Sequence, residues 1–169
     1  MARLSIIVLL VALAAGCANM SNPARLAPGT SAEAIRAQLG EPTGRHALAG
    51  GAQRLEYARG PFGRETWMLD VDAQGQLRAV TQVLNEASFA TIRAGMTEGE
   101  VLRAIGRPSN VSHTGWTKQT VWSYRYQSPF CQWFQVGLSQ AGIVEDTGYG
   151  PDPLCDDVDK PLIGILRHR

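Results

Sequence analysis

The chain repeats itself, and that repeat limits its folds more than any other feature. One stretch runs Leu26-Ala27-Pro28-Gly29-Thr30-Ser31, then Ile35, then Leu39-Gly40-Glu41-Pro42. A second runs Ile92-Arg93-Ala94-Gly95-Met96-Thr97, then Val101, then Ile105-Gly106-Arg107-Pro108. They align without a gap at a spacing of 66 residues. Each copy carries the marks of a short helix. Thr97 and Glu100 have capping-box spacing, as do Thr30 and Glu33 one residue earlier in register. Ile35 with Leu39, and Val101 with Ile105, form i,i+4 apolar pairs. Gly40 and Gly106 suit the residue past the helix, and Pro42 and Pro108 stop its continuation. A shorter helical turn precedes each, capped by Asn22 with Pro23 behind it, and by Asn85 ahead of Phe89 and Ile92.

Behind each helix the repeat continues at a spacing of 67. Leu55 and Tyr57 match Trp122 and Tyr124. Trp67, Leu69 and Val71 match Phe134, Val136 and Leu138. Both series alternate as half-buried antiparallel strands do. Asp72-Ala73-Gln74-Gly75 and Ser139-Gln140-Ala141-Gly142 read as matching turns, although Asp70-x-Asp72 ahead of Gly75 also carries a fragment of calcium-loop spacing. Third strands follow, from Leu77 to Leu84 and from Ile143 to Tyr149. The expected class is α+β, with two tandem helix-helix-strand-strand-strand units. In each, helices lie on one face of a three-stranded antiparallel sheet. The units span 22–84 and 85–150, and an irregular tail follows at 151–169.

The first residues are of another kind. Arg3 precedes the apolar run Ile6-Ile7-Val8-Leu9-Leu10-Val11-Ala12-Leu13, then Ala14-Ala15-Gly16-Cys17. The run has the length of a signal-peptide core and is too short to span a bilayer as a helix. Small residues before a cysteine resemble the lipobox of bacterial lipoproteins. The resemblance implies a signal peptide at 1–16, lipidation of Cys17, and a short tether at 17–21. The alternative is an ordinary cleaved signal with a chance cysteine. Ala18 stands where an inner-membrane retention signal usually places Asp, so the expected location is the outer membrane, facing the periplasm.

Gly95-Met96-Thr97-x-x-x-Val101-x-x-x-Ile105-Gly106-x-Pro108 resembles the opening of the SmpA/OmlA, or BamE-like, domain of outer-membrane lipoproteins. The tandem arrangement is similar to that of β-lactamase-inhibitor proteins. The first resemblance implies a lipid-anchored scaffold or adaptor that binds protein partners, in outer-membrane protein assembly or envelope integrity. The second implies a module that clamps a periplasmic enzyme.

Of the chain's 16 Lys and Arg only Arg3 lies in the leader, so the remainder balances the 15 Asp and Glu. That balance argues against nucleic acid and against a polybasic membrane patch. With Cys17 lipidated, Cys131 and Cys155 remain, and an oxidising compartment favours a disulfide between them. A metal site using them with His113 or Asp156 lacks any close-spaced ligand pair. A Cys131–His113 dyad would lose its thiolate to that disulfide. His46 falls in a glycine-rich hairpin or loop and His113 in the matching loop of the second half, and no nucleophile elbow or zincin helix is present. The reading is a protein that is not an enzyme and needs no cofactor or metal.

Alternation sorts the strand residues by face. Arg54, Glu56, Thr66, Met68 and Asp70 should point away from the helices, as should Val121, Ser123, Arg125, Trp133 and Gln135. Trp133 lies out of phase with Phe134-Val136-Leu138, and Trp116 and Phe130 fall in loops. This aromatic group, found in the second half alone, is the candidate partner-binding surface together with Arg125 and Gln135. Trp133 has a second reading, as a ring packed beneath the tail.

Overall fold

The computed structural model describes residues 22–116 and 118–156. The leader, Cys17, the tether and the tail beyond 156 lie outside the described residues.

The helix signals produce α1 (Ala32–Leu39), α2 (Glu86–Phe89) and α3 (Glu98–Ile105). Thr97 and Glu100 make the full capping box on α3, and Asn85 caps α2. On α1 the cap is Ser31, not Thr30, and its hydroxyl accepts from the Ala34 N–H. Thr30 instead donates its hydroxyl to the Ala27 carbonyl. Asn22 caps a single 3-10 turn at Pro23–Arg25. Gly40 and Gly106 end their helices at φ 81° and 78°, a region that costs a side-chain-bearing residue free energy.

The expectation of three-stranded sheets carrying helices is overturned. The described residues form two four-stranded antiparallel sheets, β1-β2-β3-β4 and β5-β6-β7-β8, and the few helices are short. The first holds β1 (Gly44–Ala47), β2 (Gln53–Ala58), β3 (Thr66–Val71) and β4 (Leu77–Gln82). The second holds β5 (Asn110–His113), β6 (Thr120–Arg125), β7 (Gln132–Leu138) and β8 (Val144–Pro151). The added strands are β1, which holds His46 in a hairpin with β2, and β5, which holds His113 where a loop is expected. Gly44-Arg45-His46-Ala47 and Asn110-Val111-Ser112-His113 carry almost no apolar alternation. Their pairing comes from the neighbouring strand rather than from burial. Thr43 and Ser109 start it in the same way: each donates its N–H to the opposite strand, at the Glu56 and Ser123 carbonyls. Each side-chain oxygen accepts a second N–H, from Ala58 and Arg125.

The registers put Leu55 opposite Leu69 and Tyr57 opposite Trp67, then Trp122 opposite Val136 and Tyr124 opposite Phe134. Both third-to-fourth strand pairs slip at matching places, between Asp70 and Val71 and between Gly137 and Leu138. Ile35, Leu55, Leu69 and Leu77 centre the first core. The second is larger and more aromatic, with Phe89, Trp122, Tyr124 and Phe134 around Val101 and Ile105. In each unit a tyrosine hydroxyl donates to the carbonyl of the glycine that ends the helix: Tyr57 to Gly40 at 3.2 Å and Tyr124 to Gly106 at 3.1 Å. That bond pins the helix end to the sheet centre and satisfies a phenol that burial would otherwise penalise.

Candidate functional site

The alternation places Arg54, Glu56, Thr66, Met68 and Asp70 on the face away from the first core, but that face is not open. Glu56, Thr66 and Met68 are buried. The end of α3 and the residues after it, from the second unit, meet Glu56, Thr66 and Arg54 there. Glu56 Oε1 accepts the Arg107 N–H at 3.0 Å, and Oε2 lies 3.1 Å from His46 Nε2. Arg54 grips both Asp70 oxygens, at 2.6 and 2.7 Å, and donates to the Arg103 carbonyl at 2.9 Å. A Cβ on Gly106 would stand 2.9 Å from the Thr66 methyl. Gly106 is therefore fixed twice, by its positive φ and by this contact. The two units are locked by charge-assisted bonds rather than joined by a free linker.

A second clasp lies on the other sheet. Arg125, at the end of β6, is buried, and its guanidinium binds both carboxylate oxygens of buried Asp152. It also donates to the Pro61 carbonyl of the first unit and stands 5.3 Å from the centre of the Trp133 ring. The Arg125 hydrogen bond holds the Asp152 carboxyl below the usual carboxylate range. Asp152 leads into α4 (Pro153–Asp156), and its N–H donates to the Cys131 carbonyl at 3.0 Å.

The disulfide joins Cys131 to Cys155, with Cα atoms 6.1 Å apart. Cys131 adopts φ 49°, which a non-glycine residue holds only when its surroundings impose it. His113 pairs in register with Thr120 at the far end of β6, so the structure brings no dyad together. Among the described residues no three His, Cys, Asp or Glu side chains are grouped to hold a metal ion. The Asp72 carboxylate accepts the Gln74 and Gln76 N–H groups and binds Arg78, which makes its segment a turn. Reducing the disulfide should lower the unfolding free energy by about 3 kcal/mol, the chain-entropy value for a loop of this length. Urea titrations with and without dithiothreitol measure this. An unchanged midpoint would show that the bridge does not constrain the unfolded chain.

The candidate surface residues do not form one group. Trp116 is 98 % exposed in the β5–β6 turn, and Phe130 is 75 % exposed in the β6–β7 turn. The six residues of β6 separate those turns by about 20 Å, at ~3.4 Å per residue. Trp133 is only 9 % exposed. Gln135 is half-buried and donates to the Ser123 hydroxyl at 3.2 Å.

Phe62, 74 % exposed in the β2–β3 turn, lies outside the strand alternation that sorts the other candidates. The exposed aromatics are thus not confined to the second half. A signal existed: Pro61-Phe62 and Pro129-Phe130 occupy matching turns. The Pro61 carbonyl accepts from Arg125 and the Cys131 carbonyl from the Asp152 N–H, so the turns that carry both rings touch the Arg125–Asp152 clasp.

Comparison with known proteins adds similarities, not an assignment. No family model matches the chain, and no curated protein matches it. The resemblance to the SmpA/OmlA domain therefore rests on the motif residues. Among solved structures, the chain is similar to a candidate β-lactamase inhibitor protein of Streptococcus mutans, at 10% identity and a TM-score of 0.32, covering 77% of this chain and 88% of that one. It is similar to an SCP-domain extracellular protein of Bacillus anthracis at 12% identity and 0.29, covering 73% and 44%. A DUF4309 family protein of Bacillus subtilis aligns at 10% identity and 0.29, covering 72% and 78%. Likenesses of this strength carry no argument about fold or function.

Proposed function

We propose that this chain is a lipid-anchored, protein-binding adaptor on the periplasmic side of the outer membrane, without catalytic activity. The observation that supports it is the pair of exposed rings, Phe62 and Phe130, on matching turns at a junction held rigid by Arg125. An exposed ring adds little to folding stability, whereas as an interface anchor it contributes about 2 kcal/mol or more. Both rings stand on turns already fixed, so a partner meets a surface that needs little ordering.

Two measurements test the parts separately. Mass spectrometry of the membrane-extracted protein should find an acylated amino-terminal Cys17. A soluble form starting at another residue would refute the anchor. For binding, a photo-crosslinking residue in place of exposed Gln127, in the same turn as Phe130, should capture a discrete envelope protein in intact cells, and adding Phe130→Ser with Phe62→Ser to that crosslinking protein should abolish the capture while the melting temperature holds. Capture of a periplasmic hydrolase would support an inhibitor-like module instead. Capture that survives the double substitution would remove the rings from the site.

A further inference from the structure

Between the two units lies a cleft of about 230 Å³. One side is the β2–β3 turn, with Pro61 and Gly63. The other is the segment after α3, with Arg107 and Pro108. Thr66 and Leu84 also line it. Both sides are held. Buried Glu56 fixes the Arg107 N–H, and Arg125 fixes the Pro61 carbonyl. Typical cofactor and small-ligand pockets run from about 300 to 1,000 Å³, and this one is smaller. Its size fits one side chain of a partner.

Chemistry narrows the choice of side chain. Pro61, Leu84 and Pro108 make the lining largely apolar. The Arg107 side chain is exposed, and its guanidinium has no ion-pair partner among the described residues. Arg59, on the facing turn, is likewise exposed and in no salt bridge, whereas the nearby Arg64 already acts on the Asp152 carboxylate. The nearby acids are engaged: Glu56 is buried against the Arg107 N–H and His46, Glu65 accepts from the Trp67 indole, and Asp152 is gripped by Arg125 with Arg64 close by. The rim is thus cationic and the interior apolar.

We propose that this cleft is the anchor site for an extended segment of a partner protein that carries an apolar side chain beside an acidic one. The apolar group enters between Pro61 and Pro108, and the carboxylate pairs with Arg107. The idea deepens the protein-binding reading by giving the chemistry that the partner must present.

Panning a displayed random heptapeptide library on the purified protein tests it, because such peptides have no free carboxyl end. Enriched peptides should place Asp or Glu beside an apolar residue. An end-blocked synthetic copy should bind at least tenfold more weakly to Arg107→Gln, which keeps the backbone N–H that Glu56 needs. Asp→Asn or Glu→Gln in the peptide should weaken binding to the unaltered protein equally, a check that requires no protein variant. Amide shifts on binding should concentrate at Gly60, Gly63 and Ser109. No enrichment, an acid-free consensus, indifference to the amide peptide or shifts elsewhere would overturn the proposal. Envelope capture that persists in Arg107→Gln would sink the cleft and leave the protein-binding reading standing. Peptide binding here with no envelope partner captured would do the reverse.

Discussion

Phe134→Ala should lower the unfolding free energy by about 3–5 kcal/mol, the range for removing a buried aromatic ring. Phe134 is 3 % exposed at the centre of β7. It stacks on Phe89 with centroids 4.3 Å apart and planes 9° apart. Tyr149 and Tyr124 lie at 5.5 and 6.4 Å. The ring therefore joins α2, β6 and β8, and none of the three can close the gap without leaving its own register. Its counterpart Trp67 is partly exposed, and its indole N–H bonds to exposed Glu65. Trp67→Ala should cost less, about 1–3 kcal/mol. Urea unfolding of both variants measures the difference. A cost below about 1 kcal/mol for Phe134 would mean that the aromatic cluster is not the second unit's core.

Much of this was legible because each signal was local. A cap, an i,i+4 pair and a glycine past a helix act within one turn of chain, so Thr97, Val101 and Gly106 announce α3 unaided. The disulfide was legible for a different reason: with Cys17 set aside, Cys131 had one partner to choose. The edge strands were not legible. Gly44–Ala47 and Asn110–His113 are held by backbone bonds to β2 and β6, and backbone bonding leaves no mark on side-chain pattern. The covered face of the first sheet shows a further limit. Alternation at Arg54, Glu56, Thr66 and Met68 states which face a residue occupies, not what lies over it. Glu56 looked like a surface acid and is a buried acceptor for the next unit's backbone. Residues more than forty positions apart meet there, and no period in the sequence encodes that meeting. A buried acid among exposed expectations is the mark of a docking face.

Asp152→Ala should cost about 3–5 kcal/mol at neutral pH, the range for leaving a buried charge without its partner. Arg125 keeps its bond to the Pro61 carbonyl, but one carbonyl cannot replace a carboxylate gripped at both oxygens. The disulfide makes the penalty harder to escape. It ties Cys155 to Cys131, so residues 152–155 cannot peel back and let water reach the guanidinium. The cost should accordingly be smaller in reduced protein, and the difference between the two states measures the coupling of the bridge to the ion pair. The pH dependence has a fixed sign. Asp152 is held below the ordinary carboxylate value, chiefly by its hydrogen bonds from Arg125. Its contribution is complete above the unfolded pKa of about 3.9 and is lost as pH falls from there through the lower folded value. The gap in urea midpoint between the native protein and Asp152→Ala should thus be wide at pH 7 and narrow once pH drops below about 4. Asp152→Asn keeps the shape and removes the charge, and should fall between the two. A gap that stays constant across that window would mean that Asp152 acts by packing α4 against the sheet, and that Arg125 is stabilised by Pro61 and Trp133 alone.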